Sequence, residues 1–153
     1  MTPEWILFVD DEPDMEEMIR QQFRKQIRDQ RFQFAFARNG RHALESLKEN
    51  EEMCMVVTDI NMPEMDGLTL LTELRKLDRP LRTMVVSAYG DMKNIRSAMN
   101  KGAFDFVTKP IDFEDFETTL EKTLEDIRKL KNSVLTQKEL EEERTKRMQA
   151  QEE

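Results

Sequence analysis

The chain has a single cysteine, Cys54, among its 153 residues. That excludes an intramolecular disulfide and a cysteine-built zinc site. Glycine is scarce: four occur, and none stands in the G-x-G-x-x-G or phosphate-loop spacing that nucleotide-binding turns require. The calcium-loop spacing of an EF-hand is also absent. Histidine occurs once, as His42, on a predicted helix where it reads as a surface residue. No apolar run approaches the roughly 18 residues of a membrane span. The N-terminus lacks a basic region followed by a long apolar one, so no signal peptide is expected. These absences predict a cytoplasmic protein with no membrane partner.

Charge is abundant and uneven. The formal net charge is −8, and residues 128–153 contribute slightly positive charge, so the acidity belongs to the first 127 residues. A body that acidic repels phosphate backbones, which argues against direct nucleic-acid binding. Hydrophobic residues are also concentrated there. Residues 128–153 hold only six and cannot form a core of their own.

Short apolar runs alternate with helical periodicity. Ile6–Val9, Phe32–Phe36, Met53–Thr58, Thr83–Val86 and Phe104–Val107 read as strands. The stretch Met53–Thr58 is continuously apolar, as a strand buried on both faces requires. Helices are predicted from Pro13 through Phe23, around Ala43–Leu47, from Leu68 to Leu74, around Ile95–Met99, and from Phe113 onward. Pro63 and Gly67 punctuate the loop after the third strand. Five strands alternating with helices predict an α/β fold, a doubly wound five-stranded parallel sheet.

In such sheets ligands gather at the carboxyl ends of the strands. That edge should collect Asp10, Asp11, Asp59, Ser87 and Lys109. Clustered carboxylates repel unless a cation joins them, and an all-oxygen donor set with open positions suits magnesium. Asp11 and Asp59 are the expected direct ligands, Asp10 acts through a water, and a backbone carbonyl near Asn61 completes the protein's share. A carboxylate flanked by a divalent cation, an ammonium and a hydroxyl can attack a phosphoryl donor, because partners for the developing charge are already in place. Asp59 is the central candidate, since the longest buried strand delivers it.

The segments Phe8–Glu12, Thr58–Pro63, Met65–Gly67, Val86–Ala88 and Lys101–Pro110 resemble the response-regulator receiver domain of two-component signalling. The resemblance covers roughly residues 4–125. It implies a flavodoxin-like strand order of 2-1-3-4-5. It also implies that Asp59 accepts a phosphoryl group from a histidine kinase or phosphotransfer protein. By the same resemblance Asp10 and Asp11 serve magnesium, Ser87 hydrogen-bonds the phosphoryl group, Lys109 supplies charge, and Phe106 is the aromatic switch. Phe106 departs from receivers with Tyr there and has no hydroxyl to offer. Asn61 and Tyr89, each two positions beyond a key residue, are expected to tune dephosphorylation.

From Phe113 to Glu153 there is no glycine or proline. Leu120, Ile127 and Val134 recur at a spacing of seven, with Thr123 and Leu130 between them, which predicts a coiled-coil seam and a homodimer through this helix. The register meets Gln137, Glu141 and Arg144 and weakens beyond Leu135. The expected division is a receiver at residues 1–125 and a helical linker at 126–153, with any effector lying outside the sequence. Two rival readings remain. A degenerate receiver would serve only as a dimerisation module. An aspartyl-phosphate-forming phosphatase would need an acid two positions after its nucleophile, where this chain has Asn61.

Overall fold

Residues 3–62 and 64–152 are described by a computed structural model, with side chains described to residue 149. Pro63 lies outside the described residues. The strands are β1 (Glu4–Val9), β2 (Phe32–Ala37), β3 (Met53–Asp59), β4 (Arg82–Ala88) and β5 (Asp105–Lys109). They form one all-parallel sheet in the order β2-β1-β3-β4-β5, the order expected of the receiver resemblance. The helices are α1 (Pro13–Gln22), α2 (Arg24–Arg28), α3 (Gly40–Glu49), α4 (Gly67–Leu74), α5 (Met92–Asn100) and α6 (Phe113–Glu152).

Each face of the sheet is covered. On one, Phe8, Met55, Val57 and Val86 pack with Ile19 of α1 and with Phe116, Leu120, Leu124 and Ile127 of α6. On the other, Leu7, Val9 and Val56 meet Ala43 and Leu47 of α3 and Leu70 of α4. Ile60 and Val85 meet Leu71 and Ala98 in a smaller cluster. Every residue of β3 is buried, which explains its unbroken apolar run.

Two sequence expectations are revised. The first helix does not run through Phe23. The backbone turns there (φ −106°, ψ 22°) and resumes as α2. Phe23 is buried against Phe32, Phe34, Phe113 and Phe116 at centroid separations of 5.6–6.5 Å, so aromatic packing fixes the chain at this turn. The second concerns α6. Leu120, Thr123, Leu124 and Ile127 are fully buried against the sheet of their own chain. The first half of the expected dimer seam is therefore a core stripe. Leu130 is half-buried and Val134 is 47% exposed, so only these two seam residues lie beyond the core.

Polar contacts reinforce that docking. Gln26 donates to Glu117 (2.9 Å), and Arg31 pairs with Glu121. Arg82 pairs with Asp126 at 2.7 Å, and Arg128 donates through Nε to Glu4 at 3.0 Å. The packed body thus extends to Ile127 and Arg128. Beyond it α6 continues as an exposed helix. Among the described residues no helix is long and apolar enough to cross a membrane.

Candidate functional site

The parallel registers bring the strand ends together. Val9 of β1 is level with Thr58 of β3, Asp59 with Val86 of β4, and Ser87 and Ala88 with Thr108 and Lys109 of β5. The residues that close these strands therefore share one edge of the sheet. Carboxylate oxygens of Asp10, Asp11 and Asp59 lie within 4.8 Å of one another. Asp10 and Asp59 are buried and Asp11 is exposed, so the cluster has a dry inner side and an open mouth.

Lys109 reaches in from β5. Its Nζ lies 2.7 Å from Asp59 Oδ2, 3.6 Å from Asp10 Oδ2 and 3.8 Å from Glu12 Oε1. Burial alone would pull the Lys109 ammonium down. The hydrogen bond and charge of Asp59, joined by Asp10 and Glu12, outweigh it and hold the pKa above its ordinary value. Burial pushes the Asp10 carboxyl up, against the opposing pull of the Glu12 backbone N–H and the Lys109 charge. The Glu12 N–H donates to Asp10 Oδ1 at 2.8 Å, and the Asn61 N–H donates to Asp59 Oδ1 at 3.2 Å. Both buried carboxylates are thus oriented by the backbone two residues on.

Ser87 sits on β4 with 1% of its surface exposed, and its Oγ has no hydrogen-bond partner among the described residues. A buried hydroxyl without a partner carries a desolvation cost, which a phosphoryl oxygen at this edge would relieve. Phe106 lies on β5 paired with Val85 and is 37% exposed. Tyr89 follows β4 and is 86% exposed, so its ring stands in solvent and does not cover Asp59 here.

The donor set fits the cation the sequence implied. Its side chains offer carboxylate oxygens, with a single ammonium against three carboxylates, and hard divalent ions prefer such sites. Two residues with a part in the site were given none from sequence. Glu12 adds a third acid to Lys109 and orients Asp10. Gly67, which opens α4, lets the backbone close on Asp59. A Cβ there would press into the Asp59 carbonyl oxygen, and the Gly67 N–H donates to Ile60 O at 2.8 Å. Both lie inside the quoted motifs, but motif membership alone does not state a contact.

The five-stranded parallel sheet thus carries an acid triad and a lysine together at its carboxyl edge. A family model of the response regulator receiver domain matches residues 6–121, and the chain belongs to that family. It is 36% identical to the transcriptional regulatory protein ZraR of Escherichia coli K12 over 93 residues, 61% of this chain and 21% of ZraR. It is 39% identical to the chemotaxis protein CheY of Bacillus subtilis over 90 residues, 59% of this chain and 74% of CheY. Among solved structures, the signal receiver domain of an HD domain-containing protein from Pseudomonas fluorescens Pf-5 shares the fold. Its TM-score is 0.77 at 24% identity, covering 86% of this chain and 94% of that one. NtrX from Brucella abortus aligns with a TM-score of 0.74 at 29% identity, over 86% of this chain and 29% of its own. The chain thus spans about a fifth of the length of ZraR.

Proposed function

We propose that this chain is the phosphorylation-responsive part of a cytoplasmic two-component regulator and that Asp59 is its phosphoacceptor. The partner is a histidine kinase or phosphotransfer protein. One observation carries the reading: a buried Asp59 carboxylate, 2.7 Å from Lys109, with Asp10 and Asp11 within shared-cation distance.

In the reaction an Asp59 carboxylate oxygen attacks the donor phosphorus. The bond from phosphorus to the leaving group breaks, and the leaving group departs with the electron pair. Lys109 sits beside the acceptor as a fixed positive charge for the transferring oxygens. Asp10, Asp11, Asp59 and the backbone carbonyl of Asn61 would hold magnesium, which supplies charge neutralisation when bound. The product adds a charge of about −1.5 to −2 and strong acceptor oxygens. Ser87 Oγ turns to these oxygens, and Phe106 moves inward into the space released. The face formed by α5, β5 and α6 then differs between the two states, and each partner biases the equilibrium by its preference for one of them.

The output is proposed to pass through α6, with homodimerisation along the exposed continuation at Leu130 and Val134. Two apolar residues form a short seam, so pairing there needs support from the phosphorylated face. The test of the core reading is intact mass after incubation with acetyl phosphate and magnesium, beside Asp59→Ala. One phosphoryl group on the wild type and none on the variant is expected. A variant labelled as fully as the wild type would remove Asp59 from the role.

A further inference from the structure

The loop that follows Asp59 is fastened at two places. At its neck, Gly67 N donates to Ile60 O at 2.8 Å, and Asn61 N donates to Asp59 Oδ1 at 3.2 Å. At its outer turn it is tied to the β2–α3 connection. Asn39 Nδ2 donates to Glu64 Oε2 at 3.3 Å, and Gly40 N donates to Met65 O at 3.2 Å. Gly40 permits that approach, since a Cβ there would lie 2.7 Å from Met65 Cγ.

Glu64 has φ +64°, a left-handed conformation uncommon for a residue with a side chain. Such a conformation persists where its surroundings hold it. Here the holding groups are Asn39 at the Glu64 side chain and Gly40 at the next carbonyl. Asn39 also has a second task, because its Oδ1 accepts from His42 N at 2.9 Å and caps α3. One side chain thus anchors a helix with its oxygen and the phosphoacceptor loop with its nitrogen.

We propose that Asn39 is a positioning residue for the phosphoryl site, acting through Glu64. By fixing the outer turn it sets Asn61, and with Asn61 both the Asp59 carboxylate and the backbone oxygen offered to the cation. The role rests on the reading of Asp59 as phosphoacceptor. Asn39 itself touches neither donor nor acceptor.

The two tasks separate chemically. Aspartate caps a helix as well as asparagine does, but it has no N–H to donate and would face Glu64 with a like charge. The experiment measures the rate of labelling by acetyl phosphate against magnesium concentration, by intact mass, for wild type, N39D, E64Q and N39D/E64Q. N39D should raise the magnesium needed for half-maximal rate by about threefold to tenfold. The limiting rate and the thermal midpoint should stay near wild type. An added negative charge by itself would draw magnesium in and shift the curve the other way, so the direction identifies the lost tether. In N39D/E64Q the new amide donates to the new carboxylate, and the curve should return. E64Q alone keeps an acceptor oxygen for Asn39 and should match the wild type. An unshifted N39D curve overturns the proposal, as does a double variant no closer to wild type than N39D. A wild type that takes no phosphoryl group removes the underlying reading and this role together, and that failure is visible before any variant is compared.

Discussion

Arg79 shows how much one side chain can fasten. Its guanidinium donates to the carbonyls of Leu47 (2.7 Å), Asn50 (3.0 Å) and Met53 (2.6 Å), joining the end of α3 to the start of β3. Hydrogen bonds from a charged donor contribute about 1.5–3 kcal/mol each, though the three share one group and do not add. Arg79→Met should lower stability by about 2–3 kcal/mol in urea unfolding, while phosphoryl acceptance survives in the folded fraction. Tyr89 belongs to this scale as well. If its exposed ring folds over phosphorylated Asp59 and hinders water, Tyr89→Ala should shorten the phosphoryl lifetime by a factor of about three or more, read by decay of the phosphorylated mass. An unchanged lifetime would leave Tyr89 without that role. The acid cluster, Ser87 and Lys109 were legible because each closes a strand and strand ends converge. Arg79, Asn39 and Glu12 were not, because their partners are backbone groups or loop side chains whose proximity no periodicity encodes.

At the level of elements, α6 carries the main revision. A spacing of seven places residues on one helix face, but it does not say whether a second helix or a sheet covers that face. Here the sheet covers Leu120, Leu124 and Ile127, and the stripe runs on through half-buried Leu130 to Val134, which is 47% exposed. Leu124→Ala should cost about 2–5 kcal/mol of folding stability. Val134→Ala should cost little, and any effect should appear in the oligomeric state on sedimentation. A large stability loss at Val134 in the monomer would contradict this division of the helix. The break between α1 and α2 was hidden for a related reason. Phe23 fits the α1 periodicity, yet four aromatic rings from β2 and α6 draw it out of the helical path. The sheet was read more securely, since β3 is buried on both faces and its composition reports that directly.

For the whole molecule, the gathering of like charge at one sheet edge sets the response to metal. Asp10, Asp11 and Asp59 repel one another, and Lys109 answers only part of that charge. Magnesium should therefore raise the thermal midpoint, and a chelator should reverse the rise. At one hundred times the dissociation constant the stabilisation is about 2.7 kcal/mol. Asp11→Asn should weaken the effect, while Asp126→Asn, at the opposite end of the sheet, should not. The geometry of α6 also has a mechanical consequence. Forty residues make a rod about 60 Å long, clamped to the sheet only over its first part. A tilt of about 5° at Ile127 would carry the far end sideways by about 3 Å. A rearrangement too small to redraw the surface near Phe106 would still become a displacement the width of an atom at the tip, so the stiffness of the helix sets how far such a tilt carries.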